Sequence, residues 1–267
     1  MDRRLEVVDS YGSVFRDLIN AKVQPTKLPI RKVLKLSKDD DWSFLCSAMD
    51  IIGDACLAID DFLRFGLDGP TKYDETGERY LRLYGILTAT YIQQEAVLKL
   101  YQLINVPPSL KEGKAMIDQL EIRLLRHKLS SHSTNYRDER GTIETFVPIR
   151  MNLRGFNCGY FDNKAIKAHN VDLKKAISAH IETLVEMLDR ILDKAIRTFY
   201  RAQETCKDCK EYSERLEELR IIRNGGLVSK MPDGSKLIFT MAKSNKVNSG
   251  DGKKHGGAKR ASLLPRA

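Results

Sequence analysis

Residues 42–66 read WSFLCSAMDIIGDACLAIDDFLRFG. Apolar side chains recur along this stretch in alternating steps of three and four, at Trp42, Leu45, Met49, Ile52, Cys56, Ile59 and Leu63. This spacing places them on one face of an α-helix. Asp41 is a suitable N-cap and Gly66 suits a helix end. The stretch therefore predicts a core helix from Trp42 to about Gly66.

Helical periodicity continues on both sides of this stretch. It predicts helices at residues 5–21, from about residue 80 to Pro107, at 114–129 and at 171–223. An unbroken helix over residues 171–223 would be about 80 Å long, which exceeds a compact domain of this size. We therefore expect this last helix to bend, project or pack on a partner.

Two segments lack the helical period. Pro148, Gly155 and Gly159 interrupt residues 141–161 and predict an irregular or hairpin-bearing insertion at about residues 137–169. Pro232-Asp233-Gly234 predicts the turn of a β-hairpin within residues 224–242. The expected fold is thus mainly α.

The domain organisation follows from these elements. Residues 1–41 form an N-terminal extension, residues 42–223 a helical bundle that carries the insertion, and residues 224–242 the C-terminal hairpin. Residues 243–267 are rich in Gly and Lys and are expected to form a disordered basic tail.

The positive charge is unevenly distributed. The chain has 267 residues and a net charge of +9, of which residues 224–267 carry +7 through nine Lys or Arg against two Asp. Residues 1–223 therefore hold only +2. A high pI does not by itself identify an RNA-binding protein, and strong nonspecific attraction to phosphate would come mainly from the tail.

Composition also bounds the cellular setting. No window approaches a membrane span, and the N-terminus lacks an apolar signal core. The five cysteines are an odd number in a chain too large to need disulfides, which indicates free thiols. We expect a soluble, cytoplasmic protein without membrane partners.

One polar cluster could carry chemistry, at the predicted end of the helix over residues 114–129. Its members are Arg126, His127, Lys128, Ser130, Ser131, His132, Ser133, Asn135 and Tyr136. A histidine titrates near pH 6.5 and can relay a proton, and a guanidinium can hold a phosphate with two hydrogen bonds. The alternative is an ordinary polar helix end, where Arg, Lys and His complement the helix dipole.

The order of these residues resembles the HEPN superfamily. Its motif is an arginine, usually followed by a polar residue, and a histidine after four to six intervening positions, within a helical bundle. Arg126, His127 and His132 match this pattern, and the resemblance covers roughly residues 42–223. Residues 84–94, YGILTATYIQQ, are also similar to a core helix of uncharacterised members of the superfamily.

The resemblance implies a function. Catalytic HEPN proteins are homodimers that cut RNA without metal or cofactor, through attack of a 2′-hydroxyl on the adjacent phosphate. By this resemblance Arg126 is the phosphate clamp and His132 the base or acid, and the other polar residues of the cluster support the reaction or bind RNA. The implied role is in toxin–antitoxin systems or phage defence, with a cognate antitoxin or sensor as partner.

Two features of the sequence limit the resemblance to the HEPN superfamily. Six positions along a continuous α-helix leave Arg126 and His132 about 120° apart, so either the helix ends near Ser130 or the arginine stem reaches round. One toxin branch has a tyrosine two residues after the histidine, where this chain has Thr134. Regulation by nucleotidylation of that tyrosine is therefore not expected.

Other interpretations remain open. The same cleft fits a noncatalytic module that binds RNA or protein, and the last long helix fits a purely structural role in assembly.

Cys206-x-x-Cys209 suggests zinc or redox chemistry but lacks a second pair, and both lie on the apolar stripe of the last helix. His180 is expected to be a satisfied core or edge histidine, and His169 to lie in a loop. Helical spacing favours core packing over base stacking for Tyr80, Tyr84, Tyr91 and Tyr101.

Overall fold

Helices dominate the structure, as the sequence predicts. The computed structural model describes residues 1–71, 75–131, 134–137, 141–200, 206–231 and 235–239. The helices are α1 (Arg3–Val23), α2 (Ile30–Val33), α3 (Asp41–Phe65), α4 (Thr76–Leu103), α5 (Leu110–Asp118), α6 (Glu121–Arg126), α7 (Leu173–Phe199) and α8 (Lys207–Arg223).

Strands form three small antiparallel sheets. The strands are β1 (Tyr136–Arg137), β2 (Ile143–Glu144), β3 (Phe146–Arg154), β4 (Asn157–Asp162), β5 (Lys167–Asp172), β6 (Leu227–Lys230) and β7 (Lys236–Phe239). β1 pairs with β2, β4 lies between β3 and β5, and β6 pairs with β7. The predicted insertion and C-terminal hairpin are both confirmed, while the predicted turn residues 232–234 and the tail 243–267 lie outside the described residues.

Helix α3 is the core helix that the sequence predicts, and it packs against α4. It begins at Asp41, so the N-cap residue is Asp40 rather than Asp41. It ends at Phe65, and its C-cap residue is Gly66. The φ of 61° at Gly66 suits glycine, and a Cβ there would lie 2.5 Å from the carbonyl oxygen of Gly155. Leu67 donates its N–H to that oxygen at 2.7 Å. The helix end is thereby fixed to the insertion.

The length and hydropathy of α3 would allow it to cross a membrane, alone among the helices in the described part of the chain. Its apolar face, however, is buried in the protein core. Its outward face carries Asp50, Asp54 and Asp61, which are exposed. Acidic side chains on one face and core contacts on the other identify a helix of a folded core.

Helix α1 contributes to the same core. It packs against α7, α3 and α8. Leu5, Val8, Leu18 and Ile19 have no exposed surface, because they recur on one face of the helix.

The predicted helix over residues 114–129 is wrong as a single element. α5 ends at Asp118, and Leu120 takes an extended conformation before α6 begins. Ile117 and Ile122 both have no exposed surface. On one straight helix, residues five positions apart would point about 140° away from each other. The break turns both into the core.

The predicted helix over residues 171–223 folds back on itself, in agreement with the expected bend. α7 ends at Phe199 and α8 packs against it, so the single apolar face expected through Cys209 and Leu216 is wrong. Arg220 on α8 donates two hydrogen bonds to Asp189 on α7, at 2.9 and 3.0 Å. Charge pairing thus accompanies apolar packing between the two helices.

The insertion contains an aromatic cluster. Phe146 on β3 packs edge-on against Tyr136, with ring centroids 5.5 Å apart, and against Tyr160 at 5.8 Å. His169 lies on β5, opposite Tyr160, and stacks on its ring at 5.0 Å. The expectation that His169 lies in a loop is therefore wrong, because the strand pairs it with Tyr160.

Candidate functional site at the end of helix α6

The helix that carries Arg126 changes its winding at this residue. The α-helix ends at Arg126 and a π-helical turn, His127–Ser131, continues it. Ile122, Leu125 and Leu129 are buried and hold one side of this segment in the core. Single π-helical turns are frequent at functional sites.

Arg126 rests on an aromatic ring of helix α4. Its guanidinium carbon lies 3.7 Å from the ring centroid of Tyr91, and that of Arg123 lies 4.6 Å from the same centroid. The ring of His127 meets Tyr91 edge-on, with centroids 6.3 Å apart. Tyr91 therefore fixes two cations and the first histidine of the motif by cation–π and aromatic contacts.

The core role predicted for the tyrosines holds only in part. Tyr101 is 1% exposed, as expected of a core residue, but Tyr84 is 39% exposed. Tyr91 is half-buried and contacts Arg126. Tyr84 and Tyr91 lie at the edge of the apolar stripe of α4, a position that helical spacing alone does not separate from its centre.

Arg123 is the outer end of a buried hydrogen-bond chain. It donates to Gln94 at 3.3 Å and to Glu95 at 2.7 Å. Gln94 meets Nδ1 of His180 at 3.1 Å, and Nε2 of His180 meets Gln93 at 2.9 Å. His180 is thus a satisfied core histidine, as predicted, with no exposed surface.

The groups at the two ends of this hydrogen-bond chain determine which partner donates in each hydrogen bond. Arg123 can only donate, so the carbonyl oxygen of Gln94 faces it and the Gln94 amide donates to Nδ1 of His180. At the other end Gln93 donates its amide to the carbonyl oxygen of Ile52 at 2.9 Å. The Gln93 oxygen therefore accepts from Nε2–H of His180. This arrangement satisfies neutral imidazole and leaves no acceptor for a second proton.

Stability is therefore expected to fall in mild acid. Burial lowers the pKa of His180 to about 3, whereas an unfolded histidine titrates near pH 6.5. Below about pH 6.5 the unfolded chain binds a proton that the folded chain excludes, which removes about 1.4 kcal/mol of stability per pH unit. The stabilisation is complete above that pH and is lost as the pH falls toward 3. Urea unfolding between pH 7.5 and 5 measures this slope.

A matched pair of variants tests whether His180 causes this dependence of stability on pH. His180→Gln keeps a group that can accept from Gln94 and donate to Gln93 but does not titrate, so its stability is expected to depend less on pH. His169→Gln makes the same substitution at a half-exposed histidine and serves as the control for loss of an imidazole. Equal slopes for the parent and His180→Gln would contradict the assignment.

Lys128 contacts the insertion. Its ammonium lies 4.8 Å from the ring centroid of Phe146, 5.6 Å from that of Tyr160 and 5.9 Å from that of Tyr136. These cation–π contacts fix the π-helical turn to the sheet. Lys128 and Tyr136, both predicted to support the reaction or bind RNA, have here a structural contact with each other.

An open cavity adjoins the π-helical turn. Its volume is about 420 Å³, and its lining residues are His127, Asn135, Tyr136 and Arg137. Sequence reasoning missed Arg137, although its position beside Tyr136 could have suggested it. A cavity with an exposed arginine and an imidazole can hold an anionic group such as a phosphate.

The remaining predicted residues divide into two groups. Ser130 is exposed on the π-helical turn and Ser131 is half-buried at its end. His132 and Ser133, the predicted catalytic histidine and its neighbour, lie outside the described residues. The structure therefore brings together Arg126 and His127 through Tyr91, and His127 with Asn135 and Tyr136 around the cavity.

Comparisons with protein families, with curated proteins and with solved structures find no match to this chain. The resemblance to the HEPN superfamily stays a prediction that rests on the motif at residues 126–132 and on its position in a helical bundle.

Proposed function

We propose that this protein is a metal-independent endoribonuclease of the HEPN type, with Arg126 and His132 as its catalytic residues. The observation that supports this most is the cationic cluster at the end of α6. Arg126 stacks on Tyr91 at 3.7 Å, and His127 contacts the same ring and lines the cavity with Arg137. His132 follows Ser131 directly in the sequence.

The proposed chemistry is an internal transfer of the phosphate. A histidine accepts the proton of the 2′-hydroxyl, whose oxygen forms a bond to the adjacent phosphorus while the bond to the 5′-oxygen breaks. The leaving 5′-oxygen takes a proton from a second acidic group. Arg126 stabilises the negative charge that develops on the phosphorane, because a guanidinium can donate two parallel hydrogen bonds. The products are a 2′,3′-cyclic phosphate and a 5′-hydroxyl.

The proposed active form is a cytoplasmic homodimer whose two protomers contact each other through the outer face of α4. This α4 face is uncharged over three turns and consists of Leu81, Tyr84, Gly85, Thr88 and Ile92, which are all exposed. Leu81 is 73% and Ile92 41% exposed, and Leu124 on the adjacent α6 is 40% exposed. Contiguous exposed apolar surface is typical of a protein interface.

The α4 face also adjoins the proposed site. Ile92 follows Tyr91, on which Arg126 rests, so a two-fold axis near Ile92 would bring two copies of Arg126 toward one cleft. The second copy supplies the second proton-transfer group and the second cation that the reaction needs. The proposed role in toxin–antitoxin systems or phage defence follows from the resemblance to the HEPN superfamily.

The direct test is digestion of single-stranded RNA by the purified protein in the presence of a chelator. Cleavage is expected to persist, to leave 2′,3′-cyclic phosphate ends and to fail on a substrate with 2′-deoxyribose at the cut position. Loss of cleavage on chelation would contradict the proposal. RNA binding without cleavage would instead favour the noncatalytic binding module.

Tyr91 is expected to act as a positioning residue for Arg126. Tyr91→Leu removes the ring, and loss of a cation–π contact worth about 1–2 kcal/mol is expected to lower kcat roughly tenfold. Tyr91→Phe keeps the ring and is expected to keep most of the activity. Steady-state kinetics with RNA, with thermal unfolding as the folding control, measures both variants. Equal kcat values for Tyr91→Leu and Tyr91→Phe would exclude the positioning role.

A further inference from the structure

Two thiols lie at the start of helix α8. Cys206 is the N-cap residue of this 17-residue helix, and its Sγ accepts a hydrogen bond from the backbone N–H of Cys209 at 3.3 Å. Cys206 is half-buried, whereas Cys209 is only 9% exposed. The pair thus combines a partly exposed cysteine with a buried one three residues later. Among the described residues, no group of three or more side chains that could hold a metal includes them.

A cation and a buried hydroxyl accompany the two thiols. The ammonium of Lys22 lies 3.6 Å from the ring centroid of Tyr200. Burial lowers the pKa of Lys22, and Cys206, Asp208 and Cys209 act in the opposite direction. Tyr200 in turn stacks on Tyr212 of α8, three residues after Cys209, with ring centroids 6.4 Å apart. Tyr200 is 2% exposed, and no described residue forms a hydrogen bond with its hydroxyl. A neighbouring cation and a helix N-terminus both stabilise a thiolate.

The other cysteines differ in their surroundings. Burial raises the pKa of Cys56 to about 12 and that of Cys158 to about 12. Burial and Asp50 raise the pKa of the half-buried Cys46. The thiolate is the reactive form of cysteine, so these three are poor nucleophiles at neutral pH. The pair on α8 differs from these three in its position at a helix N-terminus, where the sulfur of Cys206 accepts a backbone hydrogen bond.

We propose that Cys206 and Cys209 form a redox-active dithiol that closes to a reversible disulfide on reaction with a small-molecule disulfide. The Cys206 thiolate attacks one sulfur of that disulfide, whose S–S bond breaks and releases a thiol after protonation. Cys209 then loses its proton, attacks Cys206 and expels the second thiol. The protein loses two protons and two electrons, and the small disulfide gains them and becomes two thiols.

The local geometry permits this bond. Sγ of Cys206 already lies 3.3 Å from the backbone nitrogen of Cys209. An N-cap residue lies about one helical turn, roughly 5 Å, from the third residue of its helix, within the range of about 4.4–6.8 Å that the Cα atoms of disulfides span. The exposure of the two residues also assigns their order. Cys206 meets the external disulfide because it is the more exposed residue, and Cys209 resolves the mixed disulfide from within.

The test is incubation of the full chain with oxidised glutathione, followed by alkylation and mass spectrometry. Cys206 and Cys209 are expected to lose alkylation together, with an intact mass lower by two hydrogens, and reduced glutathione should restore both. Retained alkylation of both thiols, or a mixed disulfide at Cys206 that Cys209 does not resolve, would overturn the proposal.

Single variants separate the two roles. Cys209→Ser removes the resolving thiol and is expected to accumulate about tenfold more glutathione adduct at Cys206 than the parent. Cys206→Ser is expected to stop the reaction at Cys209, while Cys46→Ser serves as the control and keeps the parent behaviour. Equal adduct levels in the parent and in Cys209→Ser would contradict the assignment. Circular dichroism confirms folding of each variant, and these outcomes are independent of RNA cleavage.

Discussion

Alanine at Arg126 or at His132 is expected to lower the rate of RNA cleavage by about 10²–10⁴-fold, the usual contribution of one charge-stabilising or proton-transferring group. Arg126→Ala removes the cation that we propose to stabilise the phosphorane. His132→Ala removes the group that we propose to move the proton. Single-turnover cleavage of a labelled RNA, with the chelator present, measures both rates.

The control for this experiment is Arg16→Ala. Arg16 lies on α1 and pairs with Asp50 on the surface, so its removal is expected to leave the cleavage rate unchanged. If Arg126→Ala and His132→Ala both cut as fast as the parent, the proposed site is wrong. The double variant is expected to be no slower than the product of the single effects, because groups that act together lose their contributions non-additively.

Arg126→Lys distinguishes charge from shape. Lysine keeps the positive charge but lacks the planar guanidinium that stacks on Tyr91 and donates two parallel hydrogen bonds. The proposed mechanism needs both properties, so Arg126→Lys should resemble Arg126→Ala more than the parent.

The local spacing of residues predicted those parts of the fold whose structure is determined by nearby residues alone. The helix over residues 42–66 and the hairpin around residues 227–239 follow from the spacing of apolar residues and from turn chemistry. The break at Leu120 does not, because it depends on burying Ile117 and Ile122 in one core. The return of α8 onto α7 brings together Arg220 and Asp189, which are 31 positions apart, and no local pattern contains such a pair.

Contacts between residues far apart in the sequence were likewise not predicted at the candidate site. The sequence placed Arg126, His127 and the polar residues that follow at the end of a helix, and this position is where the helix changes its winding. It could not place Tyr91 beneath Arg126, since the contact joins α4 to α6 across 35 positions. Nor could it tell that the Lys128 ammonium faces the aromatic cluster of the insertion.

A single charge on the α4 face is expected to dissociate the proposed homodimer and to abolish cleavage. Leu81→Glu or Ile92→Glu would place a carboxylate from each protomer in the interface, and an unpaired buried charge costs several kcal/mol. The dissociation constant should therefore rise by about 10²-fold or more, at 1.4 kcal/mol for each tenfold change. Light scattering over a range of protein concentrations, with RNA cleavage followed in the same samples, measures both effects.

Leu28→Glu is the matched control for this change, because Leu28 is 62% exposed in the segment between α1 and α2. It is expected to remain dimeric and active. Mixing Arg126→Ala with His132→Ala protomers then tests whether the site is shared, since only a mixed dimer retains one Arg126 and one His132. The mixture is expected to cut faster than either variant alone and more slowly than the parent, because the mixed dimer retains one Arg126 and one His132 in place of two of each. A stable monomer that cuts RNA would contradict the shared site, because one protomer supplies a single Arg126 and a single His132 to a reaction for which we propose two of each.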